Sequence, residues 1–528
     1  MGPRTVDPPA GRAGGGATSL RLAVSALLFG LSYPLGMPGY GVPFLPFVSL
    51  VPFLFLVTAA RSGRQAARWG MVAGTLAHMP LFYWIAWTVA VPGNLGWIAG
   101  GTAALLVSAY VGAYVSATAG LLARVRIRFG EWGLFALPPA WVALEYARST
   151  LMTGFPWMLF GYSLSEDRFL RQAADLAGIE GIGFLLATIN LLLHVGATRF
   201  NKGERGRGIL SAAGALALIG FLFSYGACRF HEIGVEPGGP GLIVGIAQGG
   251  IDQSLKWDPA YQRETLAIYA ALTAEAKARG AEVVVWPETA VPFFYGWEPE
   301  LNPLVERAAA ESGVPVLFGA PWFDPSAGGR YYNSVFQLDR HGVPRGRYDK
   351  RHLVPFGEYI PLRNLLFFME KLTVGEEDFS SGTGPSLFTV QGTRVGASVC
   401  YEAIFPSILR EAAREGAGWF VNVTNDAWFG DTVAPRQHLA MARMRAVEFR
   451  RPLVRAANSG ISAVFDARGE TVAEIGLFRR EAVTGRIRTG NRETIYAKMG
   501  ELFAMSCTII TLFVLAATMN RRRGSASA

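Results

Sequence analysis

Three side chains in the middle of this chain are of the types that together carry out acyl chemistry. Glu288 directly follows a strand-like apolar run in Trp286-Pro287-Glu288-Thr289. Lys350 precedes Arg351-His352-Leu353-Val354-Pro355-Phe356-Gly357-Glu358-Tyr359, and Cys400 ends another apolar run in Ser398-Val399-Cys400-Tyr401-Glu402. Singly, each has an ordinary explanation: a carboxylate after a strand is often a helix cap, a loop lysine is usually solvated, and a strand-end cysteine is more often core than nucleophile. Together they supply a base, a fixed cation and a nucleophile. A thiol attacks poorly until it loses its proton, and its ordinary pKa of about 8.5 leaves only a few per cent thiolate at neutral pH. This part of the chain offers His231, His341, His352 and His438, none of them in a cysteine-protease context. A carboxylate can take the thiol proton instead. The ammonium then favours the thiolate and, after attack, the oxyanion of a tetrahedral intermediate. The backbone N–H of Tyr401, where a strand turns into a helix, is by position a second oxyanion donor.

The elements that must hold these groups alternate in period. From Gly241 onward, Leu242–Ala247, Val283–Trp286, Val314–Phe318, Gly396–Cys400, Trp419–Val423 and Leu453–Ala457 read as buried strands. Pro259–Arg279, Leu304–Glu311, Ile404–Arg414 and Pro435–Phe449 read as helices between them. Continuously apolar strands have both faces covered, so residues 231–498 are expected to form an α/β layered domain.

On either side of that domain the texture is different. The chain has 528 residues, 51% of them hydrophobic and only 17% charged, which is too apolar for one ordinary soluble globule. Crossing the hydrocarbon of a bilayer takes about 20 apolar residues. Candidate spans are Leu20–Leu35, Val42–Ala59, Trp69–Val91, Gly96–Leu122, Gly133–Ala147, Gly181–Gly196, Ile209–Ala227 and Leu502–Met519. Seven of them fall in residues 1–230, and the eighth in 499–528 with a basic tail. The formal charge of +9 sits in these flanks: 17 basic and 8 acidic side chains precede residue 231, 29 and 31 lie within 231–498, and 3 and 1 follow. Arg4, Arg12, Arg21, Arg61, Arg64, Arg68, Arg124, Arg126, Arg128, Arg199, Lys202, Arg205, Arg207 and Arg521 to Arg523 all fall on one side of the spans. The other side holds only Arg148, Arg168, Arg171 and Arg229. The positive-inside bias then puts both termini in the cytoplasm and the polar domain on the far side of the membrane. Basic residues scattered among apolar stretches exclude a nucleic-acid groove. Three cysteines exclude a disulfide framework and a cysteine-based zinc site. A transporter needs ionisable groups or broken helices at mid-membrane, whereas the spans hold few such groups, His78, His194 and Glu145 among them. The 148–180 connection, with Gly154-Phe155-Pro156-Trp157, suits either a segment lying at headgroup level or a packed re-entrant turn.

Trp286-Pro287-Glu288, Lys350 with Glu358 downstream, and Cys400-Tyr401-Glu402 resemble the Glu-Lys-Cys triad of the nitrilase, or carbon-nitrogen hydrolase, superfamily. With spans on both sides, and with Gln253-Ser254-Leu255-Lys256-Trp257 and Asn425-Asp426-Ala427-Trp428-Phe429-Gly430, the resemblance narrows to the apolipoprotein N-acyltransferase family over nearly the whole chain. It implies a membrane α-helical bundle of about eight transmembrane helices joined to an extracytoplasmic nitrilase-like αββα sandwich in the bacterial inner membrane. It also implies Glu288 as general base, Lys350 as oxyanion stabiliser and Cys400 as the acylated nucleophile, with Glu358, Tyr401 and Glu402 in supporting roles. A second carboxylate as close as Glu402 would raise the thiol pKa if ionised and unpaired. Trp257, Asn425, Trp428 and Phe429 are the expected substrate contacts. The implied partners are a phospholipid acyl donor, a diacylglyceryl-modified apolipoprotein acceptor and membrane lipids, acted on by a monomer. No phosphate-cradling glycine motif or metal cluster appears, and no cofactor is expected because the donor ester carries its own activation.

A tethered amidase would use the same triad but needs only one span. A transporter or sensor with an outer binding domain would need no intact triad. Aromatic residues in the outer loops, Phe293, Phe294, Tyr295 and Trp297 among them, are expected to divide between core and a lid or acyl-chain clamp, with Leu365-Leu366-Phe367-Phe368-Met369 as the foremost membrane contact. Changing Phe367 and Phe368 to Ser is expected to lower phospholipid turnover, measured as release of lysophospholipid from vesicles.

Overall fold

The computed structural model describes residues 13–235, 241–326, 328–360 and 378–519. The segment Leu365–Met369, with Phe367 and Phe368, lies outside the described residues, as do Arg4, Arg12 and Arg521 to Arg523. The first half is helical: α1 (Ala13–Leu35), α2 (Val51–Ala59), α3 (Gly63–Phe82), α4 (Trp84–Ala90), α5 (Gly96–Phe129), α6 (Leu137–Thr150), α7 (Ala174–Asn201) and α8 (Arg205–Val235). Five helical stretches among the described residues are long and apolar enough to cross a membrane: Gly16–Leu35, Gly96–Thr150, Leu170–Asn201, Arg205–Gly234 and Leu502–Met519. Their outward faces carry large apolar side chains, with Ile98 90% and Phe513 75% exposed, as lipid-facing helices require. Three expected spans are not single α-helices, and one of them, Gly133–Ala147, begins in a 3₁₀ turn at Gly130–Ala136 before α6. Val42–Ala59 opens with a short 3₁₀ turn at Leu45–Phe47 before the nine-residue α2, where Pro46 and Pro52 punctuate the backbone. Trp69–Val91 divides at Tyr83 into α3 and α4, just after Pro80 inside α3.

Helices α3 and α5 meet through small residues. A side-chain carbon added at Gly74 would stand 2.8 Å from the Cα of Gly112, and one at Gly70 2.8 Å from the Cβ of Ala119. Close helix approach through small residues four apart is the usual substitute for a hydrophobic driving force inside lipid.

The second half runs β1 (Gly241–Gln248), α9 (Gln262–Ala278), β2 (Val283–Val285), α10 (Asn302–Ser312), β3 (Val316–Asp324), β4 (Arg330–Leu338), β5 (Pro344–Asp349), β6 (Leu387–Val390), β7 (Thr393–Val399), α11 (Pro406–Arg414), β8 (Trp419–Thr424), α12 (Ala434–Phe449), β9 (Leu453–Ala457), β10 (Ser462–Phe465), β11 (Thr471–Ile475) and β12 (Glu481–Arg488). Helices α13 (Ile495–Met499) and α14 (Leu502–Met519) follow. Two six-stranded sheets have the orders β12-β1-β2-β3-β4-β5 and β11-β10-β9-β8-β7-β6. The centre of each is parallel and the flanks antiparallel. Val244, Ile246, Val285, Leu317, Val399, Val421 and Val454 fill the space between the sheets. Helices α9 and α10 cover the first sheet, and α11 and α12 the second. The result is a four-layered αββα sandwich: the continuous apolar runs led to an α/β layered domain, and the resemblance to the αββα order of its layers.

The sandwich and the bundle share one core, in which Tyr401, Ile404, Phe405, Met441 and Met444 pack with Tyr33, Phe82, Trp157 and Phe160. The 151–173 connection lies between the two halves, with Trp157, Met158, Leu159, Phe160 and Tyr162 buried. Of its two expected forms, the packed turn is the one found. Buried polar contacts pin the seam: Arg450 Nη2 lies 2.7 Å from Asp175 Oδ2, and Trp157 Nε1 donates to Gln437 Oε1 at 2.7 Å. Replacing Gly74 by Leu overpacks the contact between α3 and α5 and is expected to cost about 1–3 kcal/mol. Thermal unfolding of the protein in detergent would show it as a lowered midpoint.

Candidate active site

All three expected catalytic side chains follow the carboxyl ends of strands: Glu288 comes after β2, Lys350 after β5 and Cys400 after β7. Since β5 is antiparallel to β4 and β4 to β3, β5 runs in the same direction as β2 and delivers Lys350 to the same edge as Glu288. The carboxyl edge of parallel strands is where open α/β sheets place their sites. Close passage of β3 makes room for the base. A side-chain carbon on Gly319 would lie 2.6 Å from both the Cα of Glu288 and the amide nitrogen of Thr289.

The ammonium of Lys350 is buried between two carboxylates, 2.8 Å from Glu358 Oε2 and 3.8 Å from Glu288 Oε1. Asn333, on β4, ties those carboxylates together, its Nδ2 donating to Glu288 Oε1 at 2.7 Å and Glu358 Oε1 at 3.0 Å. The amide of Val354 donates to Glu358 Oε2 at 2.9 Å. Burial alone would lower the Lys350 pKa, but Glu358, Glu288 and Cys400 outweigh it and hold the ammonium above the ordinary lysine range.

Cys400 has φ +51°, a left-handed backbone that non-glycine residues adopt only where the surroundings impose it. Its thiol is pushed up to about 12, first by burial and then by the charge of Glu288, with Lys350 pulling the other way. The sulfur therefore rests as a neutral thiol, and the lysine alone does not ionise it. A thiolate at this position forms only by handing the proton to a base.

Glu402 does not face the sulfur unpaired. Its Oε2 accepts from the amide of Val399 at 2.7 Å, and its Oε1 from the amides of Arg351 at 2.6 Å and His352 at 3.0 Å. The hydroxyl of Tyr348 donates to both oxygens at 3.0 Å. Burial raises its pKa while the backbone donors and Lys350 oppose the rise. This carboxylate stitches the loop after Lys350 to the turn at Cys400. Tyr401 packs its ring 5.2 Å from Phe405 and points its hydroxyl at the carbonyl of Gly154, in the connection between α6 and α7.

The expected substrate contacts are spread around the loops. Trp257 is half-buried next to Lys256. Asn425 is buried in a carboxamide ladder, donating to Gln253 Oε1 at 2.8 Å and accepting from Asn458 Nδ2 at 3.2 Å. The carbonyl of Trp428 accepts from Thr88 of α4 at 3.0 Å, and the ring of Phe429 lies 4.9 Å from Trp84 and 5.8 Å from Trp157. Of the other loop aromatics, Phe293 and Tyr295 are core, whereas Phe294 and Trp297 remain exposed.

Two site residues escaped sequence reasoning. Asn333 lies on β4 among Tyr331, Tyr332, Ser334 and Gln337, where a carboxamide gives no signal of its own. Lys256 is buried, with Nζ donating to the backbone carbonyl of Glu288 at 3.0 Å. Burial pushes it down to about 8, and the nearby Glu288 and Cys400 partly restore it. Among the described residues no group of acidic, histidine and cysteine side chains is arranged to hold a metal ion.

Residues 243–496 match the carbon-nitrogen hydrolase family, and residues 25–192 match the apolipoprotein N-acyltransferase N-terminal domain. The sandwich is thus of the nitrilase-like carbon-nitrogen hydrolase class, carried by a membrane protein. An apolipoprotein N-acyltransferase of Geobacter metallireducens is 39% identical over 505 residues, covering 94% of this chain and 95% of that one. One from Nitrosomonas europaea is 30% identical over 508 residues, covering 95% and 98%. One from Methylococcus capsulatus is 39% identical over 399 residues, covering 75% of each. The chain belongs to the apolipoprotein N-acyltransferase family.

The raised thiol pKa gives a pH test. An ordinary thiol reaches its full alkylation rate near pH 9, whereas the rate at Cys400 is expected to go on rising about tenfold per pH unit through pH 10. Lys350→Met removes the cation that lowers the thiol pKa, so it slows the reaction further at any fixed pH. Peptide-resolved mass spectrometry after iodoacetamide treatment at a series of pH values measures this.

Proposed function

We propose that this protein transfers a fatty acyl group from a membrane phospholipid, through a thioester on Cys400, to the α-amine of the N-terminal diacylglyceryl-cysteine of lipoproteins. The observation that carries the reading is the convergence of Glu288, Lys350 and Cys400 in a chain that follows apolipoprotein N-acyltransferases across both its membrane and its sandwich halves. Glu288 accepts the thiol proton as sulfur attacks the ester carbonyl. The ammonium of Lys350 and the N–H of Tyr401 stabilise the oxyanion that forms. Collapse breaks the carbon–oxygen bond, and Glu288 returns the proton to the departing lysophospholipid oxygen. The amine of the acceptor then attacks the thioester and gives up a proton to Glu288. The carbon–sulfur bond breaks, an amide remains, and the sulfur recovers the proton. A thioester is more reactive toward amines than the ester it came from, so the second step runs downhill. Ping-pong kinetics follow.

In this reading residues 1–230 are an N-terminal membrane domain of seven spans, 231–498 the catalytic domain, and 499–528 the last span with a cytoplasmic basic tail. Both termini are cytoplasmic in the bacterial inner membrane, and the sandwich lies on the periplasmic side, where Glu358, Tyr401 and Glu402 support the triad. Trp257, Asn425, Trp428 and Phe429 contact the lipid substrates, and the enzyme acts as a monomer without cofactor. The shared core of bundle and nucleophile turn favours acyl transfer over a tethered amidase, because an anchor needs no such packing.

Purified protein incubated with phospholipid vesicles should carry a fatty-acyl mass on the peptide containing Cys400. Adding an acceptor lipopeptide should discharge it as N-acylated product. Glu288→Gln is expected to slow acylation by about 10²–10⁴-fold. Free fatty acid or ammonia as the sole product would sink the transferase reading.

A further inference from the structure

A second buried polar cluster stands behind the nucleophile, and the steps above leave it unused. His438 of α12 is wholly buried, with Nε2 3.1 Å from the carbonyl oxygen of Cys400. A carbonyl can only accept, so Nε2 carries the hydrogen. The other ring nitrogen, Nδ1, lies 3.1 Å from Arg455 Nη2 and 3.1 Å from Asp426 Oδ1. Burial and then Arg455 lower the His438 pKa, while Asp426 opposes the fall. Arg455 in turn donates to Asp426 Oδ2 and to Asn422 Oδ1, both at 2.6 Å. Asn422 Nδ2 reaches the same Cys400 carbonyl at 3.4 Å and Ser398 Oγ at 3.1 Å. On its other side the imidazole packs against rings at the bundle seam, 5.5 Å from Trp157 and 6.2 Å from Phe429.

Four buried polar side chains are costly to hold in an apolar layer, and none of them reaches the sulfur as a base. Two of them, His438 and Asn422, meet the carbonyl of the residue whose backbone is left-handed, and Arg455 and Asp426 hold those two in place. A turn of that kind persists only where its surroundings over-determine it. Its conformation sets where Sγ and the Tyr401 N–H point relative to each other.

We propose that His438, oriented by Arg455 and Asp426, is a positioning residue for acyl transfer: it clamps the Cys400 carbonyl so that sulfur and oxyanion donor face the same acyl carbon. The proposal rests on the reading of Cys400 as the acylated nucleophile. It deepens that reading by making the rate of attack depend on a hydrogen bond to the backbone of the nucleophile.

The test uses the full chain in phospholipid vesicles and follows the Cys400 thioester by mass spectrometry at several phospholipid surface concentrations. His438→Gln keeps an N–H within reach of the carbonyl, whereas His438→Asn is too short and His438→Leu has no donor. Whichever of the latter two gives a sharp thermal unfolding transition is compared with His438→Gln. The expected result is a limiting acylation rate lowered about 10- to 100-fold in His438→Asn or His438→Leu. Half-saturating phospholipid should stay unchanged, and His438→Gln should recover most of the rate. A merely structural role would lower the unfolding midpoint of all three without separating Gln from Asn. Equal acylation in all variants, equal loss in all, or a loss confined to half-saturation overturns the proposal while leaving Cys400 as nucleophile. A thioester mapped to another residue overturns the nucleophile assignment and this proposal with it.

Discussion

Lys350 keeps an ammonium ion where one per cent of its side chain meets solvent, and the arrangement of the site follows from that constraint. Opposite charges about 4 Å apart attract by about 4 kcal/mol at the effective dielectric of a protein site, while desolvating each ion costs several kcal/mol. One carboxylate would therefore leave the balance near zero. Two are present, Glu358 in direct contact and Glu288 slightly farther away, and Asn333 holds both in register. The unequal distances separate their roles. The closer carboxylate neutralises the ammonium, and the farther one is held less tightly by it.

The same economy of charge governs the nucleophile. A resting thiolate in a buried site beside Glu288 would be unfavourable, and the raised thiol pKa expresses that. A neutral thiol is less open to oxidants and stray electrophiles than a thiolate. Glu402 illustrates the complementary use of a buried carboxylate, with its oxygens spent on backbone amides that join two loops.

Much of this was legible in the chain before any coordinates. Leu242–Ala247, Val283–Trp286, Trp419–Val423 and Leu453–Ala457 are continuously apolar because both faces of a parallel strand are covered, and each falls on a strand. The strands that escaped, β4, β5, β6, β10, β11 and β12, are the antiparallel flanks. Half-exposed Pro344–Asp349 and Thr471–Ile475 carry no such run. Glu288, Lys350 and Cys400 stood out because ionisable or nucleophilic groups sat beside apolar runs. Asn333 and Lys256 did not, since a carboxamide in a strand and a lysine in a polar loop look ordinary until their burial is known. The 151–173 connection was ambiguous because aromatic residues suit a membrane interface and a protein seam equally well.

The pairing of β1 with β12 sets an order of events during synthesis. Leu242 lies opposite Ile487, so the first strand of the sandwich waits for its neighbour until nearly 250 further residues have left the ribosome. Within that interval the nascent sandwich exposes an open sheet edge, which is a hazard for aggregation. Helix α14 starts at Leu502, shortly after β12 ends at Arg488, so the last helix is made almost together with the strand that closes the sheet.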